Sequence, residues 1–315
     1  MPQTSAARPR LILDCDPGVD DAMAIIAASR WADLVGITTV AGNVALEHTT
    51  ANACRLRSLL GLDVEVHAGA DGPLVGRQEF ARHVHGETGL GDVVLPEPDR
   101  GPDSAHAVEY LVEATRSEEG IHLVPIGPLT NVALALRADP ALADRVASIT
   151  LMGGSALGVG NVSAAAEFNV FADPEAADEV FRCGARVTML GLNLTHQVRM
   201  DASHADSCRS FGHRVGDVAA KLIDFNVSVH RGGGLPGSGA MHDPCAVLAV
   251  SHPEVVRSEP RHVVVEVDGT HTRGQTLVDE RGPMSREPNC RVAYEADAGR
   301  ALELILQAIR EAPGC

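Results

Sequence analysis

The stretch Arg10 to Ile26, RLILDCDPGVDDAMAII, decides how this chain is read. It opens on an apolar run, Leu11-Ile12-Leu13, and then sets carboxylates at Asp14, Asp16, Asp20 and Asp21 around a Pro17-Gly18 break. An apolar pattern at helical spacing follows from Ala22. Together these predict a buried strand, a tight turn and the opening of a helix. Four acids within eight residues repel one another unless something cationic sits among them. Helix capping accounts for one, and Asp20 is placed for it. It does not account for four. A hard cation held by oxygen ligands is the economical explanation. The alternative is a charged surface loop, but a solvated loop does not need this density of acids beside a fully apolar strand.

Outward from that stretch, composition narrows the field. A chain of 315 residues with 45% hydrophobic content can bury a large core, as one α/β domain or two small ones. A net charge of −16 and a pI near 5.2 argue against a nucleic-acid polymer or an anionic membrane as the main partner. A small neutral or cationic ligand escapes that objection. Lys221 is the sole lysine, which nearly excludes a Walker-type phosphate loop and a Schiff-base lysine. The seven cysteines (15, 54, 183, 208, 245, 290 and 315) are odd in number and scattered without a C-x-x-C, which fits a reducing cytosol better than a disulfide framework or a zinc site. Cys15 reads as a buried small residue, because the surrounding carboxylates work against a thiolate. Residues 1–10 carry no apolar signal core, and no run approaches the ~18 apolar residues of a membrane span. The expectation is a soluble, cytoplasmic protein.

After the first helix (about Asp20 to Trp31), Leu34 to Val40 predicts a second strand ending at Ala41-Gly42-Asn43. A helix from Leu46 to Leu60 and a strand from Val64 to His67 follow. Residues 70–103, rich in Gly, Pro, His and Asp, show no period and read as a functional loop or a linker. A helix over Ser104 to Arg116 leads into a strand over Ile121 to Ile126 and the turn Gly127-Pro128-Leu129-Thr130-Asn131. The next strand, Ser148 to Met152, stops at Gly153-Gly154. A glycine-rich loop runs to Asn169, then come a helix from Pro174 and a strand over Arg186 to Leu190. The last third reads as a helical region from Ala202 to His230, a helix from Pro244, an alternating strand from Arg261 to Asp268 and a helix from Ala298. This alternation predicts an α/β fold with a doubly wound, mostly parallel central sheet and flanking helices. With no internal repeat and no clear linker, residues 1–315 read as a single domain with 1–9 as a flexible N-terminus. Asp16, Asn43, Ile126 and Met152 each stand at a strand's carboxyl end, where such sheets bind ligands.

Further groups converge on the first loop. They are Asn43, His83 and His85 in HVHGETG, Glu167-Phe168-Asn169 before Asp173-Pro174, and His242-Asp243-Pro244. Each alone is weak. Asp173 and Asp243 precede proline; Asp173 reads as a helix cap, and Asp243 can be read as one too. His83 and His85 read equally as ordinary loop histidines, and Asn131 reads as a cap or turn residue.

The string Asp14-Cys15-Asp16-Pro17-Gly18-Val19-Asp20-Asp21-Ala22 resembles the signature of the inosine–uridine-preferring nucleoside hydrolases. The resemblance continues in Thr38 to Asn43, His85-Gly86-Glu87-Thr88-Gly89, Val124 to Asn131, Leu151 to Gly154, Ala166 to Asn169 and His242-Asp243-Pro244. The motifs keep the family's order over almost the whole chain. The resemblance implies a calcium ion held by Asp16, Asp21, Asp243 and the backbone carbonyl of Ile126, where the family often has threonine. It implies that Asp16 takes a proton from the attacking water. Asp20 and Asn169 would grip the 2′- and 3′-hydroxyls with Asn43 close by, Asn161 and Glu167 would hold the 5′-hydroxyl, and Met152 would line the ribose pocket. His85 would sit near the base, and a homodimer or homotetramer would be the assembly.

The chemistry explains why acids dominate. Cleaving an N-glycosidic bond passes through a ribosyl cation, which a strongly negative pocket stabilises. The departing base needs a proton from a group titrating near neutrality, and His242 is the best candidate. Phe168 reads as a stacking surface for the base or as part of the wall. His230, in Phe225 to Gly234, stands where some relatives use a tyrosine, so nucleobase preference is open, with broad inosine and uridine use, purine and pyrimidine alike, as the default expectation. Three rivals fare worse. A haloacid-dehalogenase-type phosphotransferase with Asp14 as nucleophile lacks its downstream lysine. An EF-hand loop beginning at Asp14 fails on spacing, with Ile25 where glutamate belongs. A non-catalytic ribose-binding protein would have no need of His242.

Overall fold

The computed structural model describes residues 8–232 and 237–312. The segment 1–9 expected to be flexible lies outside them, apart from Arg8 and Pro9. The first half runs β1 (Arg10–Cys15), α1 (Val19–Trp31), β2 (Asp33–Thr39), α2 (Leu46–Leu59), β3 (Glu65–Ala68), α3 (Arg82–His85), α4 (Ala107–Ser117), β4 (Ile121–Pro125), α5 (Thr130–Ala138), α6 (Leu142–Arg145) and β5 (Ser148–Met152). The second half runs α7 (Phe168–Ala172), α8 (Pro174–Arg182), β6 (Val187–Leu190), α9 (Leu192–Thr195), β7 (Arg199–Asp201), α10 (Ala202–Ser210), α11 (Arg214–Gly232) and β8 (Ser238–Ala240). It closes with α12 (His242–Ser251), β9 (Val256–Arg261), β10 (Val263–Val265), β11 (Thr276–Val278), β12 (Cys290–Ala296) and α13 (Ala298–Arg310).

The main sheet has eight strands in the order β3-β2-β1-β4-β5-β6-β12-β9. Every neighbouring pair is parallel except β12 with β9. Order 3-2-1-4-5-6 is the doubly wound arrangement, and β1 and β4 flank its switch point. β1 shows why both faces need cover. Leu11 and Leu13 pack on one side with Met23 and Ile25 of α1 and Leu304 of α13. Ile12 packs on the other with Leu111 of α4 and Val132 of α5. All three strand residues are fully buried, each contributing about 1.5–3 kcal/mol of transfer free energy.

The last third departs from expectation. The predicted strand Arg261 to Asp268 divides: β9 ends at Arg261, and β10 pairs with β11 in a separate two-stranded sheet. Two strands of the main sheet, β9 and β12, were not expected, although β12, CRVAYEA, alternates Cys290, Val292 and Tyr294 with Arg291 and Glu295. β9, VRSEPR, is an exposed antiparallel edge in which Pro260 is tolerated and no apolar alternation is required. The helical region from Ala202 breaks after Phe211-Gly212 into α10 and α11. α12 begins at His242, not Pro244, and the predicted helix at Ser104 begins only at Ala107.

The long connection 70–103 is pinned rather than loose. Arg57, 1% exposed, donates to the Asp103 carboxylate and to the carbonyls of Arg100 and Gly101. Among the described residues no helix is long and apolar enough to cross a membrane, and all six described cysteines are free thiols.

Candidate active site

Beyond the end of β1 the chain turns at Pro17-Gly18 into α1, and one carboxylate closes the turn. Asp21 accepts from the N–H of Asp16 (3.2 Å), the N–H of Gly18 (2.9 Å) and Nδ2 of Asn43 (3.2 Å). Capping of this helix therefore falls to Asp21, whereas the sequence favoured Asp20. Gly18 is the N-cap, and a residue in the first turn reaches back to its free N–H. Asn43, in the loop four residues past β2, donates its backbone N–H to Asp16 Oδ2 (2.6 Å) and its side-chain amide to the Asp16 carbonyl (3.1 Å). Asp16 is cradled so closely that a Cβ on Gly42 would lie 2.1 Å, and one on Gly127 2.5 Å, from its carboxylate oxygens. Both positions require glycine for that approach.

Later strands bring the other groups. Asn169, in α7, donates through Nδ2 to the carbonyls of Ile126 (2.8 Å) and Met152 (3.1 Å), bridging the ends of β4 and β5. Glu167 caps α7, accepting from the N–H groups of Asn169, Val170 and Gly154. Asn161 Oδ1 accepts from the Phe168 N–H (2.9 Å), and the buried Phe168 ring packs with Ala81 and Ala172. Asp173 caps α8 through Ala176 N–H and also accepts from Leu74 N–H and Thr130. Asp243 lies within the first turn of α12, buried, after the N-cap Met241. Asp173 is thus a cap and Asp243 is not.

Two histidines face the cluster. His85, carried by the long connection, accepts the Val19 N–H at Nδ1 (3.1 Å). Burial pushes its pKa below the ordinary histidine value, with Asp20 pulling the other way. Its neutral form therefore carries the proton on Nε2. His242 sits with Nδ1 2.8 Å from the Thr195 hydroxyl. His83 is exposed. The side chain of His230 lies outside the described residues.

The carboxylates burden one another. Asp14, Asp16, Asp20, Asp21 and Asp243 are all buried. Burial first, and then the charge of Asp21, hold Asp16 well above the usual carboxylate range. Burial and Asp20 push Asp21 up to about 7, and burial with the neighbouring acids raises Asp243 well above its ordinary value. Burial lifts Asp14 to about 6 against hydrogen bonds from Asn131 and Thr38. Cys15, buried among them, has its thiol pushed far up by burial and by these charges, so it is no nucleophile.

Residues 11–303 match the family model of the inosine-uridine preferring nucleoside hydrolases. The chain belongs to that family. The pyrimidine-specific ribonucleoside hydrolase RihA of Shewanella woodyi is 41% identical over 304 residues, covering 95% of this chain and 97% of the relative. Its Escherichia coli counterpart is 39% identical over 305 residues, covering 95% and 98%. The solved purine-preferring ribonucleoside hydrolase of Gardnerella vaginalis superposes with a TM-score of 0.91 at 34% identity, covering 97% of this chain and 99% of that one. The molecule is accordingly a ribonucleoside hydrolase, a glycosidase of N-glycosidic bonds.

This hydrolase family is metal-dependent, and the donor set suits a hard cation. Ligand oxygens of Asp20, Asp21 and Asp243 lie within 4.8 Å of one another. Burial and the charges of Asp20, Asp21 and Asp16 all disfavour an ionised Asp243, so the crowded group requires protonation to relieve its repulsion. A divalent cation removes that requirement and offsets the mutual repulsion. This group includes Asp20, where the resemblance named Asp16; one Asp16 carboxylate oxygen instead accepts the Asn43 N–H.

Sequence reasoning passed over Asn131, which it read as a cap. Its Nδ2 donates to Asp14 (2.8 Å) and the Thr39 carbonyl (3.0 Å), and its Oδ1 accepts the Ala70 N–H. It clamps three strand ends; α5 has Leu129 as its N-cap. A periodic pattern carries no sign of such a clamp.

Glu167 gives the hydrolase a pH signature. Burial outweighs its three backbone donors and lifts its pKa from 4.5 to about 7. A raised carboxyl favours the folded state when protonated, so its contribution is full below 4.5 and is lost as pH rises through about 7. Across that window the parent should lose more stability than Glu167→Gln, by on the order of 3 kcal/mol. Urea melts at a series of pH values check this, and equal slopes for the two proteins would contradict it.

Proposed function

We propose that this hydrolase cleaves pyrimidine ribonucleosides to ribose and free base, with calcium as its metal. The observation that carries the reading is the buried carboxylate crowd beyond β1 and β4. Among the described residues the largest influences on its carboxylates are burial, one another's charge and N–H donors. Asp16, Asp21, Asp243 and the Ile126 carbonyl are the groups that would hold the ion. When bound, calcium orients the sugar diol and acidifies the attacking water.

The rest follows from the chain's own residues. Asp16 takes the proton of the water whose oxygen bonds to the anomeric carbon. The glycosidic electron pair leaves with the base, which receives a proton from His242. The surrounding carboxylates stabilise the ribosyl cation between those events. Asp20 and Asn169 hold the 2′- and 3′-hydroxyls beside Asn43, Asn161 and Glu167 hold the 5′-hydroxyl, and Met152 lines the ribose. His85 offers Nε2–H toward the base, and Phe168 belongs to the base side.

The pyrimidine preference rests on relatives named pyrimidine-specific at 41% and 39% identity. Purine use is the second reading, favoured by the purine-preferring structural neighbour at 34%. A role in nucleoside salvage or catabolism, a cytoplasmic setting and a homodimer or homotetramer complete the proposal. The odd, scattered cysteines without a C-x-x-C support the reducing compartment. Base release from uridine, cytidine, inosine and adenosine tests it. Uridine and cytidine should exceed the purines in kcat/KM by at least about tenfold, roughly 1.4 kcal/mol of discrimination; the reverse order would overturn the preference.

A further inference from the structure

Thr195 ends the short helix α9, and its residue is fully buried. Its hydroxyl lies 2.8 Å from His242 Nδ1. Two backbone links set this register. The Leu192 N–H donates to the Gly154 carbonyl (2.9 Å), tying α9 to the end of β5, and the Met241 N–H donates to the Val198 carbonyl (2.9 Å). The second link places the residue before His242 against the turn that follows α9. On another flank the His196 ring meets His242 edge-on, with centroids 5.5 Å apart and planes at 63°. The imidazole is therefore bounded twice by one short segment, Thr195-His196.

We propose that Thr195 is a positioning residue for leaving-group protonation, its hydroxyl fixing the rotation of the His242 ring so that Nε2 faces the nucleobase. The inference rests on the reading of His242 as proton donor. An imidazole's outer torsion is broad and roughly two-fold. The two flipped states differ in which atom meets the Thr195 hydroxyl, and in the wrong one Nε2 exchanges places with a carbon. A displacement of about 1 Å at a reacting group costs about 10²-fold in rate. Van der Waals contact from His196 resists tilting but does not distinguish the two flipped states. The hydroxyl reads which edge of the ring it meets.

Thr195→Val keeps the shape and removes the hydroxyl; Thr195→Ser keeps the hydroxyl. Both are compared with His242→Ala on uridine and on p-nitrophenyl riboside, whose leaving group departs without a proton. Thr195→Val should lower kcat on uridine about 10- to 100-fold, leave KM within about twofold and barely change p-nitrophenyl riboside turnover. Thr195→Ser should restore most of the loss. Equal losses on both substrates, or no loss on uridine, would overturn the proposal. If His242→Ala discriminates between the substrates and Thr195→Val does not, Thr195 alone loses its role. If His242→Ala itself fails to discriminate, the donor reading fails first. Should the valine variant not fold, the substrate ratio of Thr195→Ala decides in the same way.

Discussion

Asp16→Asn lowers turnover of uridine by at least about 10³-fold, the range of a positioned general base, while the protein stays folded. Asparagine is isosteric, and its Oδ1 can still accept the Asn43 N–H that holds Asp16 at 2.6 Å. The cradle formed by Gly42 and Gly127 is unchanged by the substitution. Asp16 also sits among like charges, with burial and Asp21 disfavouring its ionised form. Removing that charge relieves repulsion, so the melting temperature should stay level or rise. Activity and stability then move apart. Retention of more than a tenth of parental turnover would remove Asp16 from the role of base, and a collapse in melting temperature would make its role structural.

The second large effect separates substrates. His242→Ala should cost natural nucleosides about 10²- to 10³-fold in kcat, the worth of a placed acid, and p-nitrophenyl riboside less than about tenfold. A uracil or hypoxanthine anion leaves badly without a proton; p-nitrophenolate does not need one. Steady-state rates on both substrates measure the split. Equal losses would take His242 out of protonation and turn attention to His85. That residue is a weaker candidate: Nδ1 is occupied by the Val19 N–H and burial lowers its pKa, which suits a neutral donor better than an acid.

The site was legible where chemistry is dense in sequence. Leu11 to Leu13, the Pro17-Gly18 break and the acids around it announced strand, turn and helix together, and Ile126 and Met152 were correctly placed at strand ends, whereas Asn43 lies four residues past the end of β2. What escaped notice depends on contacts between distant segments. Asp20 and Asp21 are adjacent, and only the path of the turn decides that Asp21 closes it. Asn131 joins Asp14, Thr39 and Ala70 from across the sheet. Thr195 meets His242 across 47 positions of chain. β9 was missed for a different reason, since an exposed edge strand needs neither an apolar face nor freedom from proline.

The central claim is that buried acids hold a divalent cation on which N-glycosidic cleavage depends. The most direct measurement is release of free base from uridine and inosine by protein stripped with a chelator and then supplied with calcium. The account predicts that stripping lowers release on the better substrate by at least about 10²-fold, the scale of several kcal/mol of metal assistance, and that calcium restores it. Full base release by the stripped protein, with no response to added calcium, would contradict it.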